Sequence, residues 1–219
     1  MPETFDTDDT DWSALFGIAT RETRPPPPLG GLVWRPALYS RNGVAWACAR
    51  AWAASAKKDD VAALKEHKRL PISPILHSEA EELARIARRL FGSVVLVTNV
   101  PCGHSQKPDC FGKQLAVAAA ERLDVPFAQC FADRFVKGVS HPKEFAKLPP
   151  LEWIERPVCN GLVLLVDDVA TSGWHVEEGL TALRDAGFCA TGLVWISGTV
   201  GPKGSPSSAV EIDWTGIAS

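Results

Sequence analysis

No stretch of this 219-residue chain approaches the roughly 18 consecutive apolar residues that a membrane-spanning helix needs. Basic residues are not in excess: 23 Lys and Arg stand against 26 Asp and Glu, a formal charge of −3, so nucleic acid is not an expected partner. The N-terminus has no basic, apolar leader; it carries Asp6, Asp8, Asp9 and Asp11, which fits neither a secretory signal nor a transit peptide and points to the cytoplasm. None of the six cysteines (Cys48, Cys102, Cys110, Cys130, Cys159, Cys189) forms a C-x-x-C pair, which argues against a zinc knuckle or a thioredoxin-type site and leaves scattered thiols. A G-x-x-x-x-G-K-[ST] loop is also missing, so an acidic strand end here is not the mark of a P-loop hydrolase.

What is present suits one well-buried α/β domain: 46% hydrophobic and 22% charged residues. Residues 1–31, acidic, then basic, then Pro25–Pro28 and Gly30-Gly31, read as a disordered or extended leader. Residues 32–219 form the domain, with 32–75 as a hood or N-terminal extension and 76–199 as core. Three of the eight tryptophans, Trp34, Trp46 and Trp52, lie in the extension, where a small subdomain needs large side chains to fill a thin core. There the pattern predicts a strand at 32–39, an Ala-rich helix at 44–56 and a second helix at 60–68, with Pro71 and Pro74 as breaks. A helix capped by Ser78 runs to about residue 90 and ends near Gly92.

Strand and helix then alternate: strand 93–100, helix 112–123, strand 126–131, strand 162–166, helix 176–186 closed by Gly187, and strand 190–196. This alternation implies βαβ units, hence an α/β fold with a mostly parallel sheet flanked by helices. Residues 132–158 lack periodicity, and a loop that long inside a domain is often functional. Residues after 199 read as a loop-rich tail with one short strand.

The densest signal is the run from Leu162 to Gly179. Five apolar residues, Leu162 to Val166, read as a strand buried on both faces. Asp167 and Asp168 follow, and adjacent carboxylates at a strand end favour a bound diol, a cation or both; the plainer alternative is a capping Asp beside a solvated neighbour. Val169-Ala170-Thr171-Ser172-Gly173 is a small turn into a helix that opens with Trp174-His175. Its glycine allows backbone amides to converge on an anion at a helix N-terminus.

Residues 162–179 resemble the phosphoribosyl-pyrophosphate signature of type I phosphoribosyltransferases: four apolar residues, two acids, two variable residues, then [T/A]-T-G-x-T. The resemblance implies that fold for roughly residues 75–197. It places Asp167 and Asp168 on the ribose hydroxyls, with Mg2+ held through ribose or water, and Thr171, Ser172 and Gly173 on the 5′-phosphate, flanked by Val169, Ala170, Trp174 and His175. It places pyrophosphate on the loop Pro101-Cys102-Gly103-His104-Ser105, with Lys107 and Lys113 behind it. It gives Arg134, Lys137, His141 and Lys143 to a basic loop closing over the ligand. His175 stands where the family has its final Thr, and Trp174 is large for its position. The arrangement is most similar to the competence protein F-like branch, without that branch's four-cysteine zinc module and with Asp109-Cys110-Phe111-Gly112 in place of its arginine-glycine motif. The implied activity is transfer of a phosphoribosyl group to an unidentified nucleophile. The alternative is a non-catalytic ribose-phosphate sensor or competence-type accessory protein on the same fold. A homodimer is compatible with either.

Overall fold

Asn42 and Gly43 sit at φ 47° and 79°. Two successive left-handed residues make the two-residue hairpin turn whose twist matches antiparallel strands. The turn joins β1 (Leu32–Arg41) to β2 (Val44–Ala53). Residues 44–56, whose alanine content predicts a helix, are therefore mostly strand. The alanines have a different purpose: β2 lies inside the sheet with cores on both sides, Ala47 and Ala49 in one and Trp46 and Cys48 in the other. Small side chains let covering elements approach closely.

The computed structural model describes residues 26–101, 109–134, 149–200 and 209–212. After β2 come α1 (Lys57–Arg69), α2 (Leu76–Phe91), β3 (Val94–Asn99), α3 (Phe111–Leu123), β4 (Leu162–Ala170), α4 (Trp174–Asp185), β5 (Cys189–Val200) and β6 (Ala209–Glu211). The strands form one six-stranded sheet in the order β3-β4-β5-β2-β1-β6. The β3–β4, β4–β5 and β5–β2 pairs are parallel, and the β2–β1 and β1–β6 pairs are antiparallel. The mostly parallel α/β sheet expected from the sequence is present. The tryptophan-rich segment extends that sheet rather than standing apart from it: Trp46 and Trp52 are buried, and Trp34 is 36% exposed. Among the described residues, no helix is long and apolar enough to cross a membrane.

Three boundaries differ from expectation for local reasons. Ile75, not Ser78, precedes the first turn of α2; Ser78 lies inside that turn, and its hydroxyl donates to the Ile75 carbonyl at 2.8 Å. Residues 126–131 form no strand. They run beside β3 through a single bridge, Val97 to Phe127. Pro126 has no N–H to give, and the Cys130 N–H goes to the Thr98 hydroxyl at 3.3 Å, so the ladder stops. Finally, β4 continues four residues past its apolar run, which makes both aspartates strand residues.

Helices α2 and α3 pack on one face through Leu83, Ile86, Leu115 and Ala116, while α4 covers the other with Val176, Leu180 and Leu183. The chain thus leaves β3 toward one face and β4 toward the opposite face. That reversal is a topological switch point, and the crevice it opens at the strands' carboxyl ends is where open α/β sheets take ligands.

On the α2 face, Arg50 of β2 forms a two-pronged pair with Glu82, Nε to Oε1 at 2.9 Å and Nη2 to Oε2 at 2.6 Å. Its neighbour Glu79 is pushed up to about 7 by burial and by the Glu82 charge, against the opposing pull of Arg50, Ser78 and Trp195. The folded chain therefore retains a proton that the unfolded chain releases near 4.5. This contribution to stability is complete below that value and is lost as pH rises through 7. Glu79→Gln should match the parent in melting temperature at pH 4.5 and exceed it at pH 8. Thermal unfolding at both values checks this; parallel curves would show that Glu79 titrates normally.

Candidate functional site

The crevice between β3 and β4 is built around Asp167 and Asp168. Both are half-buried, and the backbone N–H of Asp168 donates to Asp167 Oδ1 at 2.9 Å, which turns the first carboxylate back on the chain. Both carboxylates meet the first turn of α3: a Cβ added to Gly112 would lie 3.6 Å from Asp168 Oδ2 and 3.9 Å from Asp167 Oδ1. A helix N-terminus is a favourable neighbour for negative charge. The second compensating group is Lys68, near the end of α1, whose Nζ lies 2.7 Å from Asp168 Oδ2. Burial works against the Lys68 ammonium, but Asp168 and Asp167 outweigh it and hold its pKa above the ordinary lysine value.

The turn at 171–173 enters α4 through Gly173, at φ 74°. A side chain there would be strained by that φ and would also strike Trp46, since an added Cβ would lie 2.5 Å from the indole. Thr171 is exposed and Ser172 half-buried. From the hairpin, Arg41 braces the turn in three ways. Its Nη1 donates to the Ser172 carbonyl at 2.9 Å, its Nε lies 2.8 Å from Glu177 Oε2, and its guanidinium stacks 3.8 Å over the Trp174 ring. Asn42 Nδ2 donates to Glu177 Oε1 as well. The hairpin and the α4 N-terminus are thus one clamp.

The structure brings together Asp167, Asp168, Val169, Ala170, Thr171, Ser172, Gly173, Trp174 and His175 by continuity of β4 and α4. Pro101 stands buried at the end of β3. Lys113, in the first turn of α3, lies 3.8 Å from Asp109 Oδ1. Cys102, Gly103, His104, Ser105, Lys107, Lys137, His141 and Lys143 lie outside the described residues. Arg134 occupies a place different from the one expected. It is 7% exposed; its Nη1 and Nη2 donate to Glu178 at 2.8 and 2.6 Å, and Nη1 also donates to the Pro149 carbonyl. It joins the Pro149 carbonyl to Glu178 of α4, so its charge is taken up by a carboxylate. His175 Nδ1 is 3.5 Å from Arg134 Nη2 and can only accept there, because a guanidinium carries donors alone.

Lys68, Arg41 and Glu177 were not anticipated. Arg41 had a signal, since Asn42-Gly43 marks a hairpin whose flanking residue must lie at its end. Lys68 had none: a lysine in a helix's last turn is ordinary, and only the crossing of α1 over the strand ends gives it a partner.

No family model matches the chain, and no curated protein matches it. Solved structures do. The chain is similar to adenine phosphoribosyltransferase from Trypanosoma brucei, in complex with AMP, pyrophosphate and ribose-5-phosphate, at 13% identity over 77% of each chain and a TM-score of 0.40. It is similar to orotate phosphoribosyltransferase from Aeropyrum pernix, at 19% identity over 77% of each chain and a TM-score of 0.33. It is also similar to the allosteric regulatory enzyme of purine biosynthesis, at 23% identity over 55% of this chain and a TM-score of 0.36; the match spans 25% of that enzyme's length. What the crevice can do is set by its own side chains.

The Gly173 geometry yields a direct test of the turn. Gly173→Ala should lower stability by about 2 kcal/mol, from a left-handed alanine pressed on an indole. That corresponds to a melting temperature lower by about 4–8 °C. Circular dichroism melts check it, and a shift under a degree would mean that Trp46 does not support the turn.

Proposed function

We propose that the crevice binds a phosphorylated pentose, phosphoribosyl pyrophosphate above all, and transfers its phosphoribosyl group to a nucleophile not yet identified. The observation that carries this reading is the placement of Asp167-Asp168 and Thr171-Ser172-Gly173 at the switch point, with the N-termini of α3 and α4 approaching from opposite faces. Carboxylates suit a vicinal diol, and amides at a helix start suit a phosphate ester. The likeness of residues 162–179 to the family signature supports the same ligand.

Mg2+ fits the donor set in a limited way. Among the described residues no group of three or more His, Cys, Asp or Glu gathers to hold a metal. Two adjacent carboxylates, with the rest of the shell from water and ligand phosphates, are nonetheless a usual Mg2+ arrangement. Asp167 and Asp168 would hold the ion, which would neutralise charge on the departing pyrophosphate. The chain's own part is to fix the sugar: the acids orient the ring and the turn anchors its phosphate, so that an incoming nucleophile meets C1 opposite the leaving group.

A second reading, binding without turnover, has one specific observation in its favour. Arg134 is committed to Glu178, and Lys68 to Asp168, so neither cation stands ready for a leaving pyrophosphate. Pyrophosphate release measured across a panel of bases separates the two: tight binding with no release on any base selects the sensor.

Calorimetry with phosphoribosyl pyrophosphate and Mg2+ tests the ligand itself. The unaltered chain should bind, and Asp167→Asn/Asp168→Asn should weaken binding about 100-fold, near 2.7 kcal/mol. Equal binding by both removes the assignment. Lys68→Met supplies a result of opposite sign. Freed from its ammonium, Asp168 should bind Mg2+ alone several-fold more tightly, while the phosphorylated sugar, deprived of a nearby cation, should bind less tightly. Unchanged Mg2+ affinity would show that the metal does not use Asp168.

A further inference from the structure

Of the four residues that α1 buries, Ala63 and Leu64 are apolar, and the other two, Asp60 and His67, are polar. The four stand at i, i+3, i+4 and i+7, one stripe of the helix. The polar pair at the ends of that stripe holds the segment that precedes β1. His67 Nε2 lies 3.2 Å from the Pro27 carbonyl, and the Gly31 N–H donates to Asp60 Oδ1 at 3.2 Å. A carbonyl only accepts, so Nε2 carries the hydrogen, and Nδ1 of the neutral ring accepts from the Ser73 hydroxyl at 3.0 Å. Residues 27–31 thus lie antiparallel to α1 as a strap fixed at both ends. The lengths agree: four residues of extended chain cover about 12 Å, and the seven from Asp60 to His67 cover about 10 Å of helix.

The strap is suited to both seating and release. Pro26, Pro27 and Pro28 have φ fixed in advance, so little conformational freedom is lost when the segment lies down. Gly31 allows the close approach, since a Cβ there would overlap Ala56 Cβ and the Asp60 carboxylate. One atom opposes the seated state. Asp60 is 4% exposed, and its Oδ2 has no hydrogen-bond partner among the described residues, a cost that water relieves once the strap lifts. What the strap controls follows from the next residue of the helix. Lys68 stands about 100° around α1 from His67, and its Nζ reaches Asp168 at 2.7 Å. A helix held at both ends of one stripe can neither roll nor slide, so the strap sets where the ammonium of Lys68 arrives.

We propose that residues 27–31 are a regulatory strap: seated, they hold α1 so that Lys68 covers Asp168; lifted, they let α1 turn and uncover the acid pair for a divalent cation. His67 and Asp60 are positioning residues that act through Lys68. The inference rests on the acid pair being a cation site and is indifferent to the sugar. It couples the strap to the crevice, and such coupling is reciprocal: a cation that displaces Lys68 from Asp168 loosens the strap.

The test uses the full chain in two measurements. The first follows the side-chain ammonium signal of Lys68 by nuclear magnetic resonance with labelled lysine nitrogens, assigned by its loss in Lys68→Met, with no ligand added. His67→Leu, which removes the latch, and Gly31→Val, which drives the strap from Asp60, should each shift this signal and speed its hydrogen exchange several-fold. His67→Gln keeps a donor for the Pro27 carbonyl and should resemble the parent. The second measurement titrates Mg2+ alone by calorimetry. Both strap variants should bind it several-fold more tightly, and in the Lys68→Met background they should add nothing. In the unaltered chain, which serves if a variant fails to fold, saturating Mg2+ should speed exchange of the Gly31 amide. The proposal is overturned if the Lys68 signal is unchanged in both folded variants, if their gain in Mg2+ affinity persists in Lys68→Met, or if saturating Mg2+ leaves the Gly31 amide as protected as before. A Lys68→Met chain with unaltered Mg2+ affinity overturns the cation site instead, and the Lys68 signal alone then judges the strap.

Discussion

Two adjacent carboxylates at the end of one strand repel each other, and the way this chain compensates them organises everything around the crevice. Lys68 approaches Asp168 to 2.7 Å, and the first turn of α3 brings Gly112 beside both acids. Neither neighbour is local in sequence. For Lys68 to arrive, α1 must cross the carboxyl ends of the strands, which requires β2 to end at Ala53 with a short turn before Lys57. For α3 to arrive, it must leave β3 toward the face opposite α4. The acid pair is thus where the hairpin extension and the βαβ core are joined.

A single indole carries that geometry from the core to the turn. Gly192 of β5 lies opposite Trp46 of β2, and a Cβ on Gly192 would come within 2.7 Å of the Trp46 Cβ. The glycine leaves room for the tryptophan on the α4 face, where its ring stacks on Tyr39 with centroids 5.7 Å apart. The far edge of the same ring supports Gly173, which can have no side chain for that reason. The turn that enters α4 therefore rests on packed core, not on solvent-exposed loop. Precision of this kind suits a site that must hold an anion by backbone amides, which cannot adapt by changing rotamers.

How far the sequence disclosed this depends on whether the responsible signal was local. The segment 162–179 was legible because buried strand, paired acids, small turn and helix follow one another along the chain, and each step has its own residue chemistry. The strand at 44–53 is hidden by its alanine composition, which suggests a helix, although Asn42-Gly43 dictates an antiparallel return whatever follows it. The roles of Lys68 and Arg134 could not be read at all. Lys68 acquires its partner only through a helix crossing, and Arg134 loses its expected freedom only because Glu178 lies within reach. Charged side chains advertise their charge in a sequence, but not which opposite charge will claim it.

That last point bears on the proposal that the start of α4 receives a phosphate. Glu177 and Glu178 lie in its opening turns, where their charges favour the helix but would repel any anion at its N-terminus. Each is met by an arginine from elsewhere: Arg41 from the hairpin for Glu177, Arg134 from the connection between α3 and β4 for Glu178. The two pairs cancel, and the exposed end of α4 is left with its amide dipoles and no net carboxylate charge. On this view the arginines prepare the anion site without touching the anion. The Arg41–Glu177 pair joins side chains 32% and 11% exposed, and the Arg134–Glu178 pair side chains 5% and 37% exposed. Salt screens pairs with one sheltered partner less than fully exposed ones. The preparation should therefore persist at ionic strengths that would silence surface charges, as the proposed binding of a multiply charged sugar phosphate requires.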